Sequence, residues 1–512
     1  MDEAISMDFR ARSIKDLTNC RTDLLAIGLC KGQTQGQPLL ANLDEAFASA
    51  LGHLLTSGDF EADPGATAVF YGGPASGPRR LAVVGLGDEK SVGLDQVRKA
   101  AVAIGNLATS LKVEHLSVGL HLVPDRLDPS DLARTIAEGI CFGAYRYSEF
   151  LTGPKRRPDR LAVELVVPRP VMLEELANGM RRGQIVGRAA NLARTWANRP
   201  ANMLRPLDMA SLAVGLAKGS RHLDCKVYDH LWLTRHKMGG ILAVGSGSQN
   251  RPCLIELRYS SGKGPRRRPK IGLVGKAVTF DSGGISIKPS ADMDQMKLDK
   301  TGGAVVLATM KAVDELGLDL DILGLVPAVE NMPSGTSYRP GDIITTFSGK
   351  TVEIVSTDAE GRLILSDALW YAVKKGCDTL VDIATLTGAC MVALGKYMAG
   401  VMGNDQALIS KIQKAGGLGG EPVWPLPCGP EYEEEIKGKA ADLRNTGSKW
   451  GGACTAAAFL RQFVGQARWA HIDIAGVDML EGKGQDGPYG ASGFGVRLLT
   501  RLLEDMAAQD LR

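Results

Sequence analysis

From Ser356 to Leu369 the chain reads STDAEGRLILSDAL, with Asp358, Glu360 and Arg362 at alternate positions between a strand-like run and a helix-like one. Taken alone, two acids there make an ordinary solvated turn that also suits the positive end of the following helix dipole. If the three residues are extended, a side-chain period of two sends all of them to one side, where they could share a ligand. Other charged residues stand at comparable junctions. KIGLVGKAVTF carries Lys276 inside an apolar run and leads into Asp281, Lys288 follows in SIKPS, Asp299 sits in MKLDKTGG at a helix start, and LVDIATL runs into Thr387-Gly388. Each has an ordinary reading by itself: Asp299 as a helix N-cap, Lys276 as a lysine snorkelling from a strand edge, Lys288 as a loop lysine.

Together the acids ask for something more. Asp281, Asp299, Asp358 and Glu360 in one cleft would repel one another unless protonated or neutralised, and two divalent cations would balance them charge for charge. The seven His include no HExxH, and the nine Cys, scattered from Cys20 to Cys454, include no CxxC, so His-ligated or thiolate-ligated zinc is not expected. A carboxylate-rich site suits hard or borderline ions such as Mn, Mg or Zn. Paired ions of this kind acidify a bridging water and polarise a carbonyl, a recurrent device for hydrolysis. Arg362 would then organise an anion beside them.

Such a cluster needs a scaffold that brings distant loops together. At 512 residues the chain is long for one core, and at roughly 150 residues per domain it suggests two or three domains. A hydrophobic share of 44% and a charged share of 23% match an ordinary globular protein, and a net charge of +3 implies no polyanionic partner. In the first third, short β-like runs (LLAIGLC, TAVFYG, RLAVVGLGD, HLSVGL, LAVELVVP) alternate with helical patterns, which argues an α/β domain over 1–170. Residues 171–198 carry helical spacing as far as the approach to Pro200 and read as a linker helix. Residues 199–512 repeat the alternation on a larger scale, with strands expected at ILAVGS, CLIELRYS, KIGLVGKAVTF, LDILGLVPAV, TVEIVS, TLVDIATL and WAHIDIAG. This is a doubly wound α/β pattern with a mixed sheet, in which ligands bind beyond the carboxyl ends of the strands. The N-terminus has early acids and no apolar core of a secretory signal, no run of about 18 apolar residues occurs, and the unpaired Cys pattern favours a cytoplasmic setting.

The motifs as a set are recognisable. STDAEGRL resembles the NTDAEGRL signature of the leucyl aminopeptidases, the M17 family of dinuclear metallo-exopeptidases, and VGKAVTFDSGG, SIKPS, MKLDKTGG, DIATLTGA and HIDIAG resemble its other blocks in order. The likeness runs from roughly Gln184 to Leu499, while the first part resembles the family's variable, macro-like domain in pattern only. The resemblance implies a metal-dependent aminopeptidase in which a metal-bridging hydroxide attacks the scissile carbonyl and a leucine-like N-terminal residue is preferred. It implies that Lys276, Asp281, Asp299 and Glu360 hold one metal, and that Asp281 and Glu360 bridge to a second, which Asp358 also binds. Lys288 would act as electrophile, Arg362 would hold a bicarbonate serving as general base, and Thr385, Leu386 and Gly388 would line the peptide. Mn or Zn, peptides with a free N-terminus and a homohexamer are the implied cofactors and partners. Ser356 stands where the signature has Asn, Lys300-Thr301 where Met and a small residue are common, and GVDMLEGKGQDGPYGASG aligns loosely where it should shape the side-chain pocket.

Two other readings compete. Gly85-Leu86-Gly87 after a strand suggests a nicotinamide oxidoreductase, but Lys90 occupies the third fingerprint glycine, which leaves a strand end and a tight turn. The basic loops GPKRRPDR and GKGPRRRPK suggest nucleic acid, yet no aromatic residues interleave them to stack on bases, so they read as solvated connectors.

Overall fold

The computed structural model describes residues 5–33, 38–73, 77–119, 123, 126–153, 158–168, 170–262, 270–482 and 488–509. Most of GKGPRRRPK, half of GPKRRPDR and part of the segment after HIDIAG lie outside the described residues. The chain forms two compact units, Met1–Asn191 with Leu480–Tyr489, and Leu192–Met479 with Gly490–Arg512. Among the described residues no helix is long and apolar enough to cross a membrane.

The first unit is built on a six-stranded sheet in the order Ser6–Ser13, Arg160–Val167, His115–Gly119, Leu24–Cys30, Arg80–Gly87, Thr67–Tyr71. Its pairs are parallel except the last, Thr67–Tyr71 against Arg80–Gly87. The buried run LLAIGLC forms a central strand, as a strand covered on both faces should. The edge strand SMDFRARS alternates exposed and half-buried positions and was not evident from an apolar run. The Gly85-Leu86-Gly87 turn has a packing reason for its glycines. A Cβ on Gly85 would lie 2.1 Å from Asp63 O, and Gly87 has φ +79°.

The second unit carries the larger mixed sheet, with a central parallel set in the order Arg468–Asp473, Thr379–Ala384, Lys270–Gly275, Asp321–Asn331. Cys253–Ser260 and Leu223–Tyr228 extend one side antiparallel, and Ala399–Gly403 and Val423–Pro425 the other. Val274, Leu325, Leu380 and Trp469 on these strands join one buried cluster with Leu363, Leu369 and Phe459 from covering helices. The helix Thr301–Leu316 ends where expected, at Gly317 with φ 64°, whose N–H reaches the Val313 and Asp314 carbonyls.

One strand expectation fails and two are met in altered form. ILAVGS contributes to a short helix, Gly239–Val244, because the buried Asp367 carboxylate accepts the Ile241 N–H at 3.0 Å and the Phe347 N–H at 2.7 Å, tying the helix to a neighbouring loop. TVEIVS is a strand only over Thr351–Glu353, in a separate three-stranded sheet. KIGLVGKAVTF is two strands, Lys270–Gly275 and Ala277–Asp281, broken at Lys276.

Candidate metal centre

The break at Lys276 places that residue at the carboxyl end of a central strand. Its N–H donates to Ile383 O at 3.1 Å and its carbonyl accepts from Gly303 N–H at 2.7 Å, so the backbone is fixed on both sides. Only 2% of the residue is exposed. Its Nζ donates to Asp299 Oδ1 at 2.7 Å and Thr385 O at 2.8 Å and pairs with Glu360 Oε1 at 2.8 Å, which uses all three ammonium donors. It does not snorkel to solvent. Burial opposes its charge, but Asp299, Glu360 and Asp281 outweigh that and hold its pKa above the ordinary lysine range.

Lys288 approaches the same acids from the other side. The loop after Asp281 turns back so that Lys288 N–H donates to Ser282 O at 2.9 Å, and the Lys288 ammonium pairs with Asp281 Oδ2 at 2.8 Å and with Asp358 Oδ1. Asp281 Oδ1 accepts from Asn331 Nδ2 at 2.8 Å and from Gly283 N–H at 2.9 Å. Candidate ligand oxygens of Asp281, Asp358 and Glu360 lie within 4.8 Å of one another. Burial and mutual repulsion raise the pKa values of Asp299, Asp358 and Glu360 against the opposing pull of the two lysines. Lys288, opposed by burial, is held above its ordinary range by Asp281 and Glu360.

Asp358, Glu360 and Arg362 meet by a different route from the alternation expected of an extended segment. Asp358 lies in a turn, its N–H donating to Ser356 Oγ at 3.2 Å, while Glu360 is the helical N-cap (φ −77°, ψ −38°) of the helix Gly361–Lys374 and Arg362 lies in its first turn. The tight turn into a helix, rather than a strand, brings the two acids to the cluster. Arg362 Nη1 donates to Asn445 O at 2.8 Å, its buried Nε has no hydrogen-bond partner among the described residues, and burial lowers its pKa to about 10. Asp299 is not the N-cap its position suggested. It precedes Lys300, the residue capping Thr301–Leu316, and its Oδ1 accepts from Lys276 and from Thr385 Oγ1 at 2.7 Å.

Thr385, Leu386 and Gly388 follow the strand Thr379–Ala384, and Asp473 clamps the backbone at Leu386 and Thr387. Its Oδ1 accepts the N–H groups of Leu386 at 3.1 Å and Thr387 at 3.4 Å, and its Oδ2 the Thr387 hydroxyl at 2.7 Å. Gly388 is exposed, Leu386 half-buried and Thr385 buried. Asp473, Asn331 and Asn445 were not singled out from sequence. Asp473 sits in the quoted block HIDIAG at a strand end, and Asn331 ends a long apolar strand, so position at a carboxyl end was the available signal. Asn445, which also donates to Ser356 O and accepts the Val355 N–H at 2.7 Å, has no such mark. The departure at Lys300 is a fully buried amine bonded to Arg199 O at 2.8 Å and to Lys297 O, with burial pushing its pKa down to about 7.

The residues fit divalent metal. Oxygens of Asp281, Asp358 and Glu360 lie within 4.8 Å of one another, Asp299 joins Glu360 across the Lys276 ammonium, all are oxygen donors suited to Mn, Mg or Zn, and among the described residues the buried Asp299 Oδ2 and Asn331 Oδ1 have no hydrogen-bond partner.

Comparison with known proteins gives the same direction. The family described as "Cytosol aminopeptidase family, catalytic domain" matches residues 191–500, and "Cytosol aminopeptidase family, N-terminal domain" matches residues 26–154. A "Probable cytosol aminopeptidase" of Roseiflexus castenholzii is 41% identical over 492 residues, 96% of this chain and 98% of that one. A mutant of tomato leucine aminopeptidase superposes with a TM-score of 0.88 at 31% identity, covering 99% of this chain and 98% of that one. The bottromycin maturation enzyme BotP in complex with Mn gives a TM-score of 0.83 at 33% identity, covering 95% and 100%.

Proposed function

The chain belongs to the cytosol aminopeptidase family, and on that premise we propose that it is a cytoplasmic, metal-dependent aminopeptidase that releases the first residue of peptides with a free N-terminus. The observation that carries the metal assignment is the convergence of the Asp281, Asp358 and Glu360 oxygens within 4.8 Å, beside an unpartnered buried oxygen of Asp299. Asp281, Asp299, Asp358 and Glu360 would hold two divalent ions, Mn or Zn, with Lys276 as a further ligand in its neutral form. Bound there, the ions would supply Lewis acidity toward a carbonyl and lower the pKa of water.

The chain's own groups have separable tasks. Lys288, tethered to Asp281 and Asp358 yet partly exposed, can donate to the oxygen of a scissile carbonyl as negative charge develops on it. Arg362, with its Nε unpartnered, is suited to hold a small anion such as bicarbonate that accepts a proton. Thr385 orients Asp299 through its hydroxyl, and Asp473 fixes the Leu386–Thr387 backbone against which a peptide would lie. The substrate's free α-amine would face the acid cluster, which distinguishes an exopeptidase from an endopeptidase. A homohexamer and a leucine-like first residue are what the resemblance implies. Hydrolysis of aminoacyl-anilides by metal-loaded protein, with N-acetylated versions inert, tests the reading.

A further inference from the structure

The turn after the strand Arg468–Asp473 is pinned to the site on both sides. Ile474 N–H donates to Ala384 O at 2.9 Å, and Asp473 Oδ1, which holds Leu386, also accepts the Ala475 N–H at 3.2 Å, so residues 474–475 run beside Thr385 and Leu386. Farther on, Ser492 donates its N–H to Asp478 O at 2.8 Å and its hydroxyl to Val477 O at 2.6 Å. Met479 packs in the small cluster that contains Leu298, the residue before Asp299. Asp478 is therefore bracketed by the two segments whose Thr385 carbonyl and Asp299 carboxylate bind the Lys276 ammonium.

The Asp478 side chain is half-buried, and among the described residues no cation pairs with it. Burial, with Asp473 nearby, pushes its pKa up to about 7, and Lys276, the one cation among the described residues that acts on it, already has three acceptors. A partly desolvated carboxylate without a counter-charge is unfavourable, and a ligand that brings a cation relieves it.

Resting on the aminopeptidase reading, we propose that Asp478 sets the choice of N-terminal residue, its carboxylate pairing with the cationic side chain of lysine or arginine. The aliphatic stem of such a side chain can lie along the half-buried Leu386 and Ala475 while its head group reaches the carboxylate. Leucine would cover the acid without pairing it, and glutamate would be repelled.

The test is kcat/KM for Lys-, Arg-, Leu- and Glu-anilides with full-length Mn-loaded protein, the parent beside Asp478→Asn and Asp478→Glu. The parent should favour Lys and Arg over Leu by about tenfold or more, Asp478→Asn should lower the Lys-to-Leu ratio by about tenfold, and Asp478→Glu should keep the cationic preference. An unchanged Lys-to-Leu ratio in Asp478→Asn, or a parent that prefers Leu, overturns the role of Asp478 while leaving the aminopeptidase reading intact. Failure of the parent to cleave any of the four overturns the reading itself.

Discussion

A Cβ added to Gly361 would lie 2.7 Å from Cε and 2.9 Å from Nζ of Lys276, so the first residue of the helix Gly361–Lys374 must be glycine for that lysine to lie where it does. The contact joins two chain segments at the point where the Lys276 ammonium meets the Glu360 carboxylate at 2.8 Å. Glycine serves here for close approach, since its φ is not left-handed. Gly361→Ala should displace the Lys276 side chain and lower kcat by at least about tenfold, with the far-UV circular dichroism of the parent. Parental kcat would mean that the position of Lys276 does not matter to the reaction.

Lys276→Arg is conservative on paper and severe in this setting. The guanidinium needs more room than the pocket under Gly361 offers, and it effectively never deprotonates, whereas a lysine can bind a metal only as a neutral amine. The expected outcome is loss of nearly all activity and of one bound ion per chain. Metal analysis of the purified variant decides: two tightly held ions with parental kcat would show that Lys276 is no ligand.

Lys288→Ala and Arg362→Ala separate chemistry from metal binding. Neither residue is placed as a ligand, so each variant should bind metal as the parent does while kcat falls by about 100-fold or more, the scale for removing one donor to a developing oxyanion. Loss of both ions in either variant would mean that ligands and charge-stabilising groups have been assigned the wrong way round.

Below the site, His471 Nδ1 lies 2.5 Å from Asp382 Oδ1 and Trp469 Nε1 donates to Asp382 Oδ2 at 2.6 Å, all fully buried. Burial disfavours the imidazolium, but Asp382 outweighs it and raises the His471 pKa above its ordinary value. A raised histidine pKa contributes stability that is fully present below the unfolded value of about 6.5 and is lost as pH rises through the folded value. His471→Ala should destabilise the protein by about 3–5 kcal/mol near pH 6, because Asp382 is left buried without its counter-charge. The gap between parent and variant in denaturant midpoint should narrow toward pH 9. A gap that stays constant across that range would show that His471 does not titrate.

Much of this site could be read in the sequence, because its charged groups follow apolar runs, and an acid or lysine at the carboxyl end of a buried strand stands out. Lys276, Asp281, Asp358 and Glu360 stand out that way, Asp299 by its place at a helix start and Lys288 only through the motif SIKPS, and the structure brings the six together. The route to the cluster was not legible. Asp358 and Glu360 arrive by a turn and a helix N-cap, since TVEIVS stops being a strand at Glu353 and joins a small separate sheet. A short apolar run does not distinguish strand from helix, and ILAVGS is helical through a capping carboxylate, Asp367, that lies 126 residues from the Ile241 it caps. Asn445 was invisible for the same reason: its bonds to Val355, Ser356 and Arg362 depend on long-range contacts that no local pattern records.

The central claim is that the four acids hold catalytic metal, and the most direct measurement follows hydrolysis of one peptide before chelation, after exhaustive chelation and after Mn or Zn is returned, with the N-acetylated peptide alongside. The account predicts loss of activity on stripping, recovery with about two ions per chain, and no cleavage of the acetylated peptide at any stage. Undiminished hydrolysis by the stripped protein, or release of an acetylated first residue, would contradict it.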